Sequence, residues 1–114
     1  MPGVIGIDLG TTNSVLAFLD GDRPEVIPNA EGNKLTPSIA LFDDHDEILV
    51  GEMAKRQLVT KPGQCIRSVK RLIGRRLSEI EESGKSVEYE LAADADGNVL
   101  VAVHVLCGCH RLLQ

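Results

Sequence analysis

Aromatic side chains are nearly missing from this 114-residue chain: Phe18, Phe42 and Tyr89 are the whole set, and tryptophan is absent. Proteins that hold single-stranded nucleic acid stack bases on aromatic rings, so this composition argues against that class. The net charge of −5 argues equally against general attraction to a phosphate backbone, and no nucleic-acid partner is expected. No apolar run reaches the roughly 18 residues needed to cross a bilayer, and the N-terminus lacks the basic flank and apolar stretch of a secretory signal. A cytoplasmic protein with no membrane partner is expected. Cysteine is sparse, at Cys65, Cys107 and Cys109, which fits a reducing compartment rather than a disulfide framework. Cys107 and Cys109, with His104 and His110 nearby, raise the question of a metal clip, but cysteines one residue apart miss the usual structural zinc spacing. Internal repeats and low-complexity stretches are also lacking.

What is present is a soluble-type apolar content of 43%, rich in Val, Ile and Leu, and one dense cluster of chemistry near the start. The segment Val4-Ile-Gly-Ile-Asp-Leu-Gly-Thr-Thr-Asn-Ser14 places a carboxylate, a glycine and two threonines directly after a short apolar run. Val4 to Ile7 reads as a buried strand, Asp8 as its end, Leu9 to Asn13 as a tight turn, and Val15 to Leu19 as the returning strand. Gly10 lets the backbone approach a ligand, and the amides and hydroxyls of Thr11 and Thr12 can donate to phosphate oxygens. Asp8 offers a hard oxygen to magnesium, which keeps most of its waters when bound to nucleotide. The same residue types also build ordinary turns, so phosphate site and structural hairpin both remain open on spacing alone. Neither the dinucleotide fingerprint nor the Walker loop is matched.

Beyond the hairpin, Asp20 to Pro24 reads as a turn, Glu25 to Pro28 as a strand, and Asn29 to Asn33 as a further turn. Ser38 to Phe42 and Glu47 to Val50 read as two strands around the acidic loop Asp43 to Asp46, so five short strands precede any helix. Glu52 to Thr60 then favours a helix stopped by Pro62-Gly63, with Glu52 at its positive end and Lys61 near its negative end. A second helical pattern puts Ile66, Val69, Ile73, Leu77 and Ile80 on one face, with Gly74 as a possible bend. Ser78 to Ser86 reads as an acidic surface loop. Val87 to Ala92 and Val99 to Val103 form a hairpin around Asp94-Ala-Asp-Gly97.

Eight of the twelve basic residues fall between Lys55 and Arg76, with no acid inside that span. Arg67, Lys70, Arg71 and Arg75 are expected on the polar face of the second helix. A solvated face, a cation aimed at phosphate and, last, a nucleic-acid groove are the three readings of such a run.

Four ordered blocks narrow the choice: Ile5 to Ser14; Asn29 to Asn33 with Thr36-Pro-Ser38; Val50-Gly-Glu-Met-Ala-Lys-Arg-Gln57; and Val69-Lys-Arg-Leu-Ile-Gly-Arg-Arg76. Together they resemble the start of the heat-shock seventy chaperone family, of the bacterial DnaK type, over about residues 3 to 103. The resemblance implies an α/β fold, part of an actin- and sugar-kinase-like (ribonuclease H-like) ATPase lobe with short β-hairpins followed by helices. On that basis residues 1–103 would be the N-terminal portion of the nucleotide-binding domain, divided into a phosphate hairpin (1–37) and a small subdomain (38–103), with 104–114 a divergent tail.

By the same resemblance, the complete family member would hydrolyse ATP to ADP and phosphate in protein folding and the stress response. Asp8 would hold magnesium through water, and Gly10, Thr11, Thr12 and Asn13 would contact the phosphates. Lys70 would reach the transferring phosphate and the attacking water. Asn29 to Asn33 resembles a loop touched by the nucleotide-exchange factor, and a J-domain co-chaperone and unfolded client peptides would complete the partners. The second phosphate hairpin, the adenosine pocket and the peptide-binding domain of the family are not found in these residues, so an incomplete site, inactive alone, is expected. The alternative is a non-catalytic interaction module derived from the same fold.

Overall fold

The computed structural model describes residues 3–45, 47–84, 87–104 and 110–113, with side chains of the last segment and of His104 left aside. The metal-clip reading of Cys107, Cys109, His104 and His110 therefore lies outside the described side chains.

Ile5–Leu9 (β1) and Asn13–Asp20 (β2) pair antiparallel around residues 10–12, with Asp8 opposite Val15 and Leu9 opposite Ser14. Arg23–Val26 (β3) and the two-residue strand Thr36–Pro37 (β4) pair with β2 on its far side. The hairpin and its turn follow the sequence pattern, while the third strand begins two residues early, taking in Arg23 and Pro24 of the expected turn and ending at Val26 instead of Pro28. One expectation fails: β1 is not buried, and all five of its residues are exposed. Its apolar pattern is that of a covered strand, yet β1 has a single neighbour and contributes nothing to either buried cluster among the described residues. Ile5, Ile7 and Leu9 are 60%, 70% and 60% exposed. The β4 pairing was not legible, so six strands rather than five precede the first helix.

At Ser38 the chain leaves this sheet and enters a second. There Ile39–Phe42 (β5) is the centre, flanked by Ile48–Val50 (β6) and Cys65–Arg67 (β7), both antiparallel to it. Alternation along a strand sends neighbours to opposite faces, and both faces of this sheet are used. Leu41 and Cys65 bury on one side with Ala54 of helix α1 (Glu52–Arg56), joined by Ile39, Leu49 and Leu58. Ile66 buries on the other with Leu72, Ile80, Tyr89, Val101 and Val103, joined by Phe42. The third sheet supplies the last of these through Glu90–Ala93 (β8), Val99–His104 (β9) and His110–Leu113 (β10), in the order β10-β9-β8. The hairpin around Asp94 to Gly97 forms as expected. Asp94 accepts the amide protons of Asp96 and Asn98 at 2.9 and 2.8 Å, and these bonds hold its carboxyl below the usual carboxylate range.

The helical expectations need correction. The first helix stops at Arg56 instead of reaching Thr60, so Lys61 does not face its C-terminal end and instead pairs with Asp44 at 3.5 Å. No helix spans Ile66 to Ile80. Cys65–Arg67 is a strand, Val69–Arg71 a single 3-10 turn, and Gly74 takes φ 73, a left-handed value. Val69 and Ile73 are 42% and 68% exposed, so the apolar residues do not share one face. Pairing with β5 and burial of Cys65 and Ile66 outweigh a helical period that local spacing alone favours. The acidic stretch expected as a loop carries helix α2 (Leu77–Glu82), where the Glu79 carboxylate accepts the Arg76 amide proton at 2.9 Å and caps the first turn.

Candidate phosphate-binding site

The turn between β1 and β2 is shaped by one glycine. A Cβ on Gly10 would lie 2.2 Å from the Asn13 carbonyl oxygen, so no larger residue fits without moving backbone. Ser38 holds the turn from outside. Its hydroxyl donates to the Gly10 carbonyl at 2.8 Å and its amide to the Thr12 carbonyl at 2.9 Å. The Ser14 and Ser38 hydroxyl oxygens are 2.8 Å apart. Because the single Ser38 hydroxyl proton is already committed to Gly10, Ser14 donates in that contact. The amides of Thr11 and Thr12 donate to no protein acceptor among the described residues, which leaves them available to a ligand oxygen.

Lys70 comes to this turn from 61 residues away, its Nζ donating to the Leu9 carbonyl at 2.6 Å. The Val4 carbonyl accepts from Leu19, so the backbone groups of alternate residues face β2 while those of Ile5, Ile7 and Leu9 point to the free edge. Lys70 therefore caps that edge where the turn begins. Ser68 makes the approach possible, for its left-handed backbone (φ 55) turns the chain out of β7. Arg67, the last residue of β7, is tied to β8's approach: its guanidinium pairs with Glu88, and its carbonyl accepts the Tyr89 hydroxyl at 2.7 Å. The Arg67 guanidinium holds the Glu88 carboxyl below its ordinary range, while burial pushes the Tyr89 phenol up.

The structure thus brings Gly10, Thr11, Thr12, Asn13 and Lys70 to one turn. Asp8 sits one residue before Leu9 on exposed β1, with no ion pair among the described residues. The other basic residues do not share a helix face with Lys70. Lys55, Arg71 and Arg75 line a cleft of about 740 Å³ together with Thr11, Thr12, Asn13 and Ser38, and neither Asp8 nor Lys70 borders it. The sequence pattern missed Ser14 and Ser38 as parts of the site. Ser38 lies inside a quoted block, but a contact across 28 residues leaves no periodic trace.

A glycine-shaped turn with open amides, an exposed carboxylate on the preceding strand and a lysine delivered from a distant loop make up a candidate phosphate-binding site on a β-hairpin. Comparison with known proteins supplies the family: the model described as Hsp70 protein matches residues 4–108, and this chain belongs to the Hsp70 family. It is 52% identical over 101 residues to the chaperone protein dnaK of Cyanidioschyzon merolae, covering 89% of this chain and 17% of that protein. It is 52% identical over 103 residues to the chaperone protein DnaK of Thermus thermophilus, covering 90% and 17%. The stromal 70 kDa heat shock-related protein of pea chloroplasts is 49% identical over 96 residues, covering 84% and 14%. The chain therefore spans about a sixth of the length of these relatives. The family match runs past residue 103 into the tail expected to diverge. Among the described residues no helix is long and apolar enough to cross a membrane.

Proposed function

We propose that this chain is the opening portion of the nucleotide-binding domain of an ATP-dependent folding chaperone, carrying one wall of a magnesium-ATP site. Residues 1–37 form its phosphate hairpin and 38–103 its small subdomain, within an actin-like lobe; beyond 103, His110–Leu113 adds β10 to the sheet of β8 and β9. The observation that carries the reading is the bond of Lys70 to the Leu9 carbonyl, at the end of β1 where the turn of residues 10–12 begins, a contact that no structural hairpin requires.

The residues fit the ligand. Gly10 keeps the turn open to close approach, the amides and hydroxyls of Thr11 and Thr12 and the Asn13 side chain offer neutral donors, and Asp8 offers the oxygen. The described residues contain no cluster of three metal-ligating side chains, so the magnesium would arrive with the nucleotide and meet Asp8 through water. Bound magnesium-ATP supplies the reacting phosphoryl group. Lys70 then exchanges the Leu9 carbonyl for a phosphate oxygen and holds positive charge where negative charge shifts during hydrolysis to ADP and phosphate. In the complete protein, read as cytoplasmic, clients are unfolded peptides and a J-domain co-chaperone and exchange factor regulate turnover. The exposed turn at Asn29 to Asn33, tied by the Asn29 side chain to the amides of Glu31 and Asn33, is the exchange-factor contact.

The test replaces the 103 aligned residues of the Thermus thermophilus relative with this chain, giving a full-length chimera. Lys70→Ala in that chimera should slow single-turnover ATP hydrolysis while leaving nucleotide affinity nearly unchanged, because the charge acts mainly in the transition state. Unchanged hydrolysis removes Lys70 from the mechanism. The 114-residue chain alone should bind magnesium-ATP weakly or undetectably by calorimetry, since one wall gives few contacts against the entropy of binding. Micromolar affinity would overturn that expectation.

A second reading, a non-catalytic interaction module, draws on the free edge of β1 with its three exposed apolar side chains. A stoichiometric partner recovered irrespective of nucleotide would favour it.

A further inference from the structure

The seam between the first two sheets is a single residue. Ser38 lies between β4 and β5, so it is covalently part of the sheet that carries the core while its polar atoms reach back to the turn. It holds that turn at three places: its hydroxyl on the Gly10 carbonyl, its amide on the Thr12 carbonyl, and its oxygen accepting from Ser14. These bonds bracket Thr11, the centre of the turn. They also tie two carbonyls of the loop to Ser38. A carbonyl aimed at a phosphate would repel it; one tied down by a hydroxyl cannot swing there.

The need for such a tie follows from packing. The sheet of β1, β2 and β3 adds no side chain to either buried cluster, so hydrophobic burial does not fix the turn relative to the rest of the chain. Directional bonds must do so: the short β2–β4 pairing of Asn13 and Ser14 with Pro37 and Thr36, then Ser38 itself at Gly10, Thr12 and Ser14, with the flexible Lys70 side chain adding one at Leu9.

We propose that Ser38 is a positioning residue of the phosphate hairpin, setting the Gly10 and Thr12 carbonyls so that the amides between them face a bound phosphate, with Ser14 as its hydrogen-bond donor. The proposal rests on the magnesium-ATP reading of the hairpin. Ser38 borders the cleft that Thr11, Thr12 and Asn13 line, and the role assigned to it is exerted through the loop.

Two arms test it. In the 114-residue chain without nucleotide, Ser38→Ala should speed hydrogen exchange of the residue-38 amide, which bonds the Thr12 carbonyl, and shift the resonances of Gly10 to Asn13, while amides of β5 and β9 keep their protection. In the full-length chimera, Ser38→Ala should raise the Kd for magnesium-ATP roughly five- to tenfold, the equivalent of one neutral hydrogen bond. Ser38→Thr, which keeps the hydroxyl, should restore both readouts. Ser14→Ala should move each in the same direction but less, because the Ser38 bond to Gly10 survives. Should Ser38→Ala lose the fold of the chain, Ser14→Ala and the threonine rescue decide. Unaltered exchange at the residue-38 amide together with unaltered resonances at Gly10 to Asn13 in Ser38→Ala overturns the proposal, as does unaltered affinity in a chimera whose affinity Thr11→Ala lowers. Should the unsubstituted chimera fail to bind magnesium-ATP, the nucleotide reading fails by itself and the proposal falls with it, even if the exchange arm shows Ser38 holding the turn.

Discussion

Gly10→Ala isolates the physical demand at the centre of the site. An added methyl would meet the Asn13 carbonyl oxygen at 2.2 Å and its carbon at 3.3 Å. Carbon and oxygen do not approach closer than about 3 Å without strain, so roughly 1 Å of backbone movement is required. The yielding group is held. Asn13 pairs with Pro37 in β4, and the Gly10 carbonyl is held by Ser38, so relief must break one of these contacts. Forced overpacking typically costs about 1–3 kcal/mol, and the smaller backbone entropy of alanine in the unfolded chain returns about 0.4–1 kcal/mol. A net local destabilisation of about 1–2 kcal/mol follows from those two effects. Because the first sheet lies outside both cores, the cost falls on local opening of β1 and β2 rather than on global unfolding. Amide hydrogen exchange by NMR is therefore the assay, and β1 and β2 amides should lose about five- to thirtyfold in protection at 1–2 kcal/mol while the β5 and β9 amides are unmoved. Gly6→Ala is the control, since a Cβ there meets nothing within 4 Å, and its protection should match the parent. Equal protection for Gly10→Ala and Gly6→Ala would refute the steric argument and, with it, the glycine's assigned role in the site.

Other expectations are simpler to read. Leu41, fully buried beside Ala54 and Cys65, should cost about 2–5 kcal/mol when changed to alanine, measured as a lower urea midpoint by far-ultraviolet circular dichroism. Tyr89 is the sole tyrosine in a chain without tryptophan, so near-ultraviolet absorption by its phenolate reports one site. Burial raises its pKa, so the folded chain keeps the phenol proton longer than the unfolded chain. That stabilisation is complete below the ordinary tyrosine value of about 10 and disappears as pH climbs through the higher folded value. Titration of the folded chain should lag behind that in urea; coincident curves would contradict it. Tyr89→Phe removes the 2.7 Å bond to the Arg67 carbonyl and should lower stability by about 1 kcal/mol in the same urea assay.

Residues 5–20 were legible because a period of two, a glycine and a cluster of turn formers all act within a few positions, and local physics sets a hairpin. The turns at Asn29 to Asn33 and Asp94 to Gly97 were legible for the same reason: Asn29 and Asp94 each bond amides two and four residues on. Family membership too was present in four short blocks of sequence. The stretch from Ile66 to Ile80 shows where such reasoning ends. Its spacing suits a helix, but Cys65 and Ile66 stabilise more by adding a strand beside β5 and burying on opposite faces of that sheet than by continuing a helical turn. Whether a strand has a neighbour is likewise decided by partners far along the chain, which is why β1 has the composition of a covered strand and yet lies exposed. Ser38 and Lys70 reach the turn across 28 and 61 residues, and a hydrogen bond over such separations depends on where the whole chain folds, not on any repeat in its letters.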